Sequence, residues 1–418
     1  MKRSASIFKK LWWSGLRVRG SLIYLLLLAA TALLAPLLAN HRPLWINTGE
    51  ANYFPAFSGS NTVPTNSNSG AVIQFDDPSW VTTPGIHFLR APIVYSPNRS
   101  DAFDMGYTPP FQQADLGRSP HYLGTGKRGD DILAGIIHGS RVSVTVGIFS
   151  MLLAGLIGIT LGAFGGYFGD DRIRICRGTA AGLITGLLPA WFYSFHIRSY
   201  ALQAALAGST MQFLFQLTLT LLLFFLVLIF FALAGRWISR FSWFSHQVKV
   251  PADSLISRLT EMVISLPKLL LILAIAAIAK PSVLNLILII GLTSWTEMAR
   301  FTRAEMLSLR EQDFIQSARS LGLKESTILL KHALPNGIAT AMVALTFGVS
   351  AAILIESGLS FLGIGVEPGT VTWGMLLSEG RSNFSAWWLV VFPGLAIFAT
   401  VTALNFIGEA LREVMDPR

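Results

Sequence analysis

Charged residues are scarce in this chain of 418 residues: only 13% are Asp, Glu, Lys or Arg, whereas 52% are hydrophobic. Soluble domains carry roughly 25% charged residues, so a chain with so few charges cannot cover its surface in water. We therefore expect the lipid bilayer to be its main solvent. The net charge of +9 would suit nucleic-acid binding, but the positive charges are distributed as in an oriented membrane protein. We expect no nucleic-acid partner.

Cysteine is nearly absent as well. The single Cys176 excludes an internal disulfide framework and a metal site built from several cysteines. The segment Gly124–Gly129 reads GTGKRG and imitates a phosphate-binding loop. It lacks the first glycine of that loop, and Arg128 stands where Ser or Thr should bind magnesium. With no HExxH or GxSxG motif either, the sequence predicts no enzyme activity, no ATPase site, no metal and no cofactor.

Long apolar runs, by contrast, are abundant. A membrane-spanning helix needs about 20 mostly apolar residues, and eight segments of the sequence approach this requirement. The third contains Pro189 and ends in aromatic residues that are typical of the membrane interface. The eight predicted spans are Ser21–Ala39, Val142–Phe168, Thr179–Phe195, Met211–Gly235, Leu255–Ala279, Val283–Met298, Gly337–Ser357 and Ala386–Ile407.

The positive charges predict an orientation for these spans. With both termini in the cytoplasm, the segments that face inward hold most of the Lys and Arg residues, as the positive-inside rule requires. The first span could be a cleaved secretory signal peptide. Its apolar stretch is longer than a usual signal core, so we expect an uncleaved anchor, with residues 1–40 forming a basic tail and the first membrane helix.

Residues 41–140 would then form a large extracytoplasmic loop. This loop is rich in Asn, Ser, Pro and aromatic residues, and we expect a small, irregular, partly folded cap. Short strands are predicted at Val72–Phe75 and His87–Leu89. Disorder of the loop is the alternative.

Two features of the spans indicate packing or a substrate route. The second span, within residues 141–169, carries glycines spaced by three and four on one helical face, which predicts a close helix crossing; they are Gly155, Gly158, Gly162 and Gly166. Lys268 lies mid-way along the fifth span and Glu356 near the outer end of the seventh. Ionisable residues at such depth usually face a cavity or a partner, so either could line a substrate pathway. Alternatively, Lys268 reaches the interface along its flexible stem, or the span starts later.

A polar segment, Ser294–Pro335, separates two apolar spans. Glu311 and Asp313 suit the positively polarised start of a helix, and Gly322 suits a turn. A second short helix, Lys324–His332, should stop before Pro335.

The predicted helix that starts near Glu311 and Asp313 carries an apolar stripe at helical spacing. The stripe is formed by Phe314, Ile315, Ala318 and Leu321. Nothing within the loop can cover this stripe. We therefore expect the membrane surface or a partner protein to cover it, and an ordinary amphipathic loop helix is the alternative.

The spacing of several residues in this segment resembles the coupling motif of ABC importer permeases. That motif usually begins Glu-Ala-Ala, and here Gln316 and Ser317 replace the first two residues. The resemblance implies that the helix within residues 311–335 docks in a groove on a cytoplasmic ATPase. The implied coupling residues are Asp313, Gln316, Ser317, Ala318, Gly322, His332, Leu334 and Pro335.

Further segments narrow the resemblance to the second permease subunit of the dipeptide, oligopeptide and nickel import group. Those segments are His121–Val144, Leu359–Gly380, Trp387–Ile397 and Asn405–Arg418. Two positions depart from the group, because Gly126 and Asp130 stand where Asp and Arg are usual. The implied fold is an all-α polytopic membrane protein with a six-helix type I permease core. In this chain an inserted apolar hairpin, residues 170–250, raises the count to about eight spans, and residues 251–418 complete the core.

The resemblance also implies partners and a mechanism. These are a second homologous permease subunit, two cytoplasmic ATPase subunits and an extracytoplasmic substrate-binding protein that delivers a peptide to the bacterial inner membrane. A secondary transporter or channel is the alternative, and it predicts clustered mid-membrane charges and matched broken helices. A membrane-embedded enzyme would need a catalytic cluster near a helix end. The sequence shows neither pattern, and it leaves open whether the substrate is a dipeptide, an oligopeptide, glutathione or nickel.

Overall fold

A computed structural model describes residues 10–49, 51–64, 72–75, 80–81, 86–97, 99, 105–112, 119–207 and 210–415. The helices are α1 (Leu16–Leu38), α2 (Pro55–Ser58), α3 (Ile132–Phe168), α4 (Arg177–Trp191), α5 (Ser199–Ala207), α6 (Thr210–Ile238), α7 (Ala252–Ile264), α8 (Lys268–Ile278), α9 (Val283–Leu309), α10 (Asp313–Ser320), α11 (Glu325–Ile328), α12 (Leu334–Phe361), α13 (Trp373–Gly380) and α14 (Trp388–Met415). The strands are β1 (Trp45–Asn47), β2 (Asn52–Tyr53), β3 (Thr62–Pro64), β4 (Val72–Gln74), β5 (His87–Leu89), β6 (Arg174–Cys176) and β7 (Gln247–Lys249).

Within the described residues, six helices are long and apolar enough to cross a membrane, and two bent helix pairs raise the number to eight if each pair is one span. The six are α1, α3, α6, α9, α14 and the continuous stretch Glu325–Phe361 that ends with α12. The predicted all-α polytopic fold is confirmed. The chain divides into two compact units, formed by the described parts of Met1–Phe149 with Thr346–Arg418, and by Ser150–Leu345.

In the first unit, α1 packs along α14. The Tyr24 hydroxyl lies 2.9 Å from Thr400 Oγ1, which joins the two helices by a polar contact within apolar surroundings. A second core of this unit contains Ile353, Trp373 and Ile397, all buried. The Trp373 indole N–H donates to the carbonyl of Ile136 at 2.9 Å, so the buried ring keeps its polar atom satisfied.

The loop of the first unit is folded where it is described. Strands β2, β1 and β5 form an antiparallel sheet, and β3 pairs with β4. Trp80 is buried between the rings of Phe75 and Phe88, with ring centres 5.3 and 5.0 Å away. Both predicted strands are confirmed, because Val72–Gln74 and His87–Leu89 are strands. Within the predicted loop, residues 50, 65–71, 76–79, 82–85, 98, 100–104 and 113–118 lie outside the described residues.

The fifth predicted span, Leu255–Ala279, is wrong as a single helix. It consists of α7 and α8, which meet at an angle of 74°. Pro267 causes the break, because proline lacks an N–H donor and pushes the preceding Leu266 out of helical geometry. Lys268 is therefore the first residue of α8 and does not lie mid-way along a straight helix.

The sixth predicted span, Val283–Met298, is too short. Helix α9 continues to Leu309 because its buried stripe continues past the first charges, at Thr302, Met306 and Leu309. The third predicted span, Thr179–Phe195, corresponds to α4 and a π-helical turn, Phe192–His196. The chain then bends by 41° before α5.

Within the second unit, the two ends of residues 170–250 lie beside each other. Strands β6 and β7 pair antiparallel, with Arg174 opposite Lys249. Asp170 accepts hydrogen bonds from the N–H and Oγ of Ser254, at 2.9 and 2.5 Å. These bonds, the side-chain bond first, hold the pKa of Asp170 below its ordinary value and fix the start of α7.

The predicted close helix crossing is confirmed for Gly158, Gly162 and Gly166, whose partner is α9, whereas Gly155 faces Leu345 of α12. A Cβ atom placed on Gly158 would lie 2.5 Å from both the Met298 Cβ and the Trp295 carbonyl oxygen. Gly162 and Gly166 meet the backbone of α9 one and two turns further on. Only glycine allows α3 and α9 to touch along these three turns.

This crossing predicts that Gly158→Ala lowers stability by about 1–3 kcal/mol, the usual cost of forcing extra atoms into a packed core. The measurement is the thermal unfolding midpoint of the purified chain in detergent. Gly358→Ala is the matched control, because nothing lies within 4 Å of a Cβ added there. If both variants unfold at the wild-type temperature, the close crossing is not present in the membrane protein.

Candidate functional site

The segment predicted to couple to an ATPase folds as two helical pieces joined at Gly322. Helix α10 runs from Asp313 to Ser320. Gly322 then adopts a left-handed backbone with φ of 76°, which glycine adopts without strain. Its N–H donates to the Arg319 carbonyl at 2.9 Å, and the N–H of Leu323 donates to the Ala318 carbonyl at 3.3 Å. The predicted turn is confirmed, and these bonds satisfy carbonyls at the helix end.

The second piece does not stop before Pro335, as the sequence predicted. Helix α11 continues through a π-helical turn, Leu329–Ala333, directly into α12. Pro335 is the second residue of α12 and follows the π-helical turn directly, where the regular i→i−4 hydrogen bonding that its missing N–H would break is already interrupted. His332 and Leu334 are half-buried at this junction, and the Asn336 side chain donates to the His332 carbonyl at 2.7 Å.

The apolar stripe of α10 is divided between the protein interior and its surface. Ile315 is fully buried and Ala318 is 7% exposed, and both pack in one cluster with Tyr167, Met306 and other residues of the second unit. The expectation that only the membrane or a partner could cover the stripe is wrong for these two residues. They rest on the ends of α3 and α9. The end of α9 directly precedes α10 in the chain, but the end of α3 is distant in the sequence, which does not place it beside the loop.

The opposite face of this segment is exposed. Gln316 and Ser317 are exposed, and the Gln316 side chain donates to the Glu311 carbonyl at 3.0 Å. Leu321 is 81% exposed and Phe314 is 40% exposed. This face therefore combines polar groups with apolar side chains that have no cover within the described residues.

A polar network ties the segment to α3. The Tyr167 hydroxyl donates to Glu325 Oε2 at 2.5 Å, and Arg319 Nε donates to Glu325 Oε1 at 2.8 Å. The Arg172 guanidinium lies 5.3 Å from the centre of the Tyr167 ring. Burial lowers the pKa of Arg319, but its hydrogen bonds with Glu325 and Tyr167 outweigh burial and hold the pKa above its ordinary value.

Sequence reasoning missed this network entirely. Tyr167 and Glu325 are separated by 158 positions, and neither belongs to the motif. The only signal was a tyrosine at the end of an otherwise apolar span, because a buried tyrosine hydroxyl usually needs a partner.

The two predicted pathway residues have different surroundings. Lys268 Nζ donates to Glu297 Oε1 at 3.3 Å, and both side chains are partly exposed. Glu356 is fully buried and accepts hydrogen bonds from three serine hydroxyls, those of Ser143 at 2.8 Å, Ser360 at 2.9 Å and Ser357 at 3.4 Å. A pathway role for either residue stays a prediction.

A cleft of about 380 Å³ lies between α7 and α9 in the second unit. Its polar lining includes Thr260, Glu261, Arg300 and Arg303. Arg303 is held by both oxygens of Asp253, at 2.5 and 2.7 Å. Within the described residues, no group of three or more His, Cys, Asp or Glu side chains could hold a metal ion.

The family model described as "Binding-protein-dependent transport system inner membrane component" matches residues 241–418. The match begins after α6 and includes all of residues 311–335. A dipeptide transport system permease protein of Alkalihalophilus pseudofirmus is 30% identical over 299 residues, which cover 71% of this chain and 72% of that protein.

Two proteins of Brucella suis biovar 1 are also similar. A putative peptide permease protein is 29% identical over 331 residues, covering 78% of this chain and 80% of that protein. A putative peptide transport system permease protein is 37% identical over 187 residues, covering 44% and 60%. The chain therefore belongs to the family of binding-protein-dependent transport system inner membrane components, the multi-pass permeases of ABC importers.

The polar network predicts that Tyr167→Phe loosens the attachment of α10 and α11 to α3. A hydrogen bond to a charged group contributes roughly 1.5–3 kcal/mol, and its loss frees one side of Glu325. Trypsin should cut faster at Lys324 and Lys331 in the variant, as measured by the rate of fragment appearance.

Tyr200→Phe is the matched control, because Tyr200 is 83% exposed. It should be cut at the wild-type rate. Equal rates in all three proteins would show that the Tyr167 hydroxyl does not hold the segment.

Proposed function

We propose that this chain is the transmembrane permease subunit of an ATP-driven importer for dipeptides or oligopeptides. The substrate class is supported by the names of the relatives, which are dipeptide and peptide permeases. Alternating access, in which the cavity opens to one side at a time, requires two states that a ligand or a nucleotide favours differently.

The single observation that carries the coupling proposal is the two-faced geometry of α10. Ile315 and Ala318 fix one face to the permease, and Gln316, Ser317 and Leu321 leave the other face free. A partly apolar exposed face on a firmly seated helix suits a groove on a partner protein. We propose that this partner is a cytoplasmic ATPase, and that the coupling residues named above form or support the contact.

Movement of the ATPase would reach the membrane helices through the buried face. Because α10 packs on Tyr167 of α3 and Met306 of α9, a displacement of α10 pushes on both helix ends. The packed interface resists gradual deformation, so the displacement is passed on as a shift of whole helices.

The energy for transport is proposed to come from the partner. The Gly124–Gly129 segment does not suit phosphate, because the Glu379 carboxylate accepts a hydrogen bond from the Lys127 N–H at 2.5 Å. A Cβ on Gly126 would lie 2.7 Å from the same carboxylate. A negative group in this position repels a phosphate, which supports a permease without its own ATPase site.

The full transporter is proposed to contain this chain, a second homologous permease, two ATPase subunits and an extracytoplasmic binding protein that delivers the peptide. Both termini and α10 would face the cytoplasm, and residues 41–140 the outside. The chain is proposed to consist of five segments, which are residues 1–40, 41–140, 141–169, 170–250 and 251–418. Of the two proposed pathway residues, the partly exposed Lys268, which pairs with Glu297, suits a route, whereas the enclosed Glu356 suits packing between helices.

The docking proposal predicts that Leu321→Glu abolishes both ATPase co-purification and peptide uptake. The added charge would be buried without a partner in the groove, which costs several kcal/mol. The measurements are the ATPase retained on the tagged permease and the uptake of a radiolabelled dipeptide by whole cells. Leu321→Met is the matched control and should retain both. Full ATPase retention by Leu321→Glu would show that this face is not the docking surface.

The orientation is tested by labelling a single cysteine. In a Cys176→Ser background, Ser320→Cys should react with a membrane-impermeant thiol reagent only after the inner face is opened. Asn52→Cys, in the proposed outer loop, should react in intact cells. Labelling of residue 320 in intact cells would place α10 outside and reject the coupling proposal.

A further inference from the structure

The hairpin formed by residues 170–250 has an excess of basic residues, and the proposed function gives these residues no role. Between Arg172 and Val250 the sequence contains no Asp or Glu, although the whole chain has 23 acidic residues. The same stretch contains seven basic residues, namely Arg172, Arg174, Arg177, Arg198, Arg236, Arg240 and Lys249. From Arg172 to Val250 the hairpin therefore carries only positive formal charge, and its two acidic residues, Asp170 and Asp171, stand at its start.

Four of these arginines gather at the end of the hairpin where it joins the rest of the second unit. Arg174 belongs to β6, and Arg177 begins α4 immediately after it. A Cβ on Gly178 would meet the Gly235 carbonyl and lie 2.5 Å from Ser239 Oγ. The start of α4 and the end of α6 thus touch. This contact places the backbone of Arg177 at the same end of the hairpin as the backbones of Arg236 and Arg240.

Within the described residues none of the four arginines forms a salt bridge, although the charge of the nearby Asp171 acts on Arg174. The side chains of Arg174, Arg177, Arg236 and Arg240 are exposed. Lys249, in contrast, is paired with Asp171 at 2.5 Å. Four positive charges therefore remain available to a ligand.

The position of these arginines along α6 corresponds to the membrane surface. Helix α6 has 29 residues and is about 43 Å long at 1.5 Å per residue, more than the roughly 30 Å of the hydrocarbon core. Trp237, Phe241 and Trp243 are 65%, 69% and 73% exposed at the same end. Exposed aromatic rings are typical of the headgroup layer, so the arginines lie among lipid headgroups.

We propose that Arg174, Arg177, Arg236 and Arg240 form a binding site for the headgroup phosphate of an anionic phospholipid. Guanidinium groups bind phosphate oxygens with paired hydrogen bonds. The N-terminus of α4 adds a favourable dipole beside Arg177, and the neighbouring indole rings contact the upper acyl chains. The site rests only on the hairpin lying in the membrane, and it is independent of the substrate and of the ATPase.

The test uses the full-length chain purified in detergent. Binding of phosphatidylglycerol with a fluorescent acyl chain is followed by energy transfer from tryptophan, with unlabelled phosphatidylglycerol, phosphatidylcholine or inorganic phosphate as competitor. Unlabelled phosphatidylglycerol should displace the probe, and the other two should not. Each basic residue near an anionic lipid contributes about a fivefold change in binding, so Arg177→Gln/Arg236→Gln should weaken binding about 25-fold.

Two matched variants isolate the cause. Lys127→Gln/Arg128→Gln removes the same charge from exposed positions elsewhere and should bind the lipid like the wild type. Arg177→Lys/Arg236→Lys keeps the charge and should retain most of the binding, which also shows that the hairpin tolerates substitution. Raised salt should weaken binding to the wild type through screening, a measurement that needs no variant.

Three results would overturn the proposal. Competition by inorganic phosphate as strong as that by phosphatidylglycerol would indicate a general anion site. Equal weakening by the Lys127/Arg128 variant would indicate net charge alone, and unchanged binding at high salt would exclude an ionic site. These experiments measure neither peptide uptake nor ATPase retention. Failure of the lipid-site proposal can therefore be distinguished from failure of the proposed transport function.

Discussion

The contact between α3 and α9 is the constraint on which the position of α10 depends. Gly158, Gly162 and Gly166 let the two backbones touch over three turns, and this contact fixes the level at which each helix ends. Tyr167 and Met306 then lie side by side and form the surface that receives Ile315. Larger side chains on the glycine face would separate the helix ends, and α10 would lose its seat without any change in its own sequence.

The magnitudes show which contacts hold α10. Full burial of an Ile side chain contributes about 1.5–3 kcal/mol, and Ile315 and Ile328 are both fully buried. The ion pair of Arg319 and Glu325 is about one-third exposed on each side, and such pairs contribute about 0–1 kcal/mol. Apolar burial therefore supplies most of the attachment, and the polar network sets the orientation. The buried face of α10 thus provides its attachment, and the exposed face contributes little to it.

The sequence predicts what is periodic or local. The glycine spacing of α3, the turn at Gly322 and two short strands of the loop follow from residue type and spacing alone. The 74° bend at Pro267 and the continuation of α11 into α12 past Pro335 do not. The same residue type breaks the helix at Pro267 and is accommodated beside a π-helical turn at Pro335. The cover over Ile315 and the bond from Tyr167 to Glu325 join distant parts of the chain, which one sequence without relatives cannot reveal.

The hairpin at residues 170–250 can be accommodated because its two ends meet. The pairing of β6 with β7 closes the hairpin on itself, and the bonds from Ser254 to Asp170 fix the start of α7 directly after it. Asp253, which precedes Ser254, accepts two hydrogen bonds from Arg303 of α9. The pair of Asp253 and Arg303, which joins α7 to α9, thus lies wholly outside the hairpin. A membrane hairpin that crosses the bilayer twice also returns the chain to the side it left, so α10 keeps its face whether or not the hairpin is present.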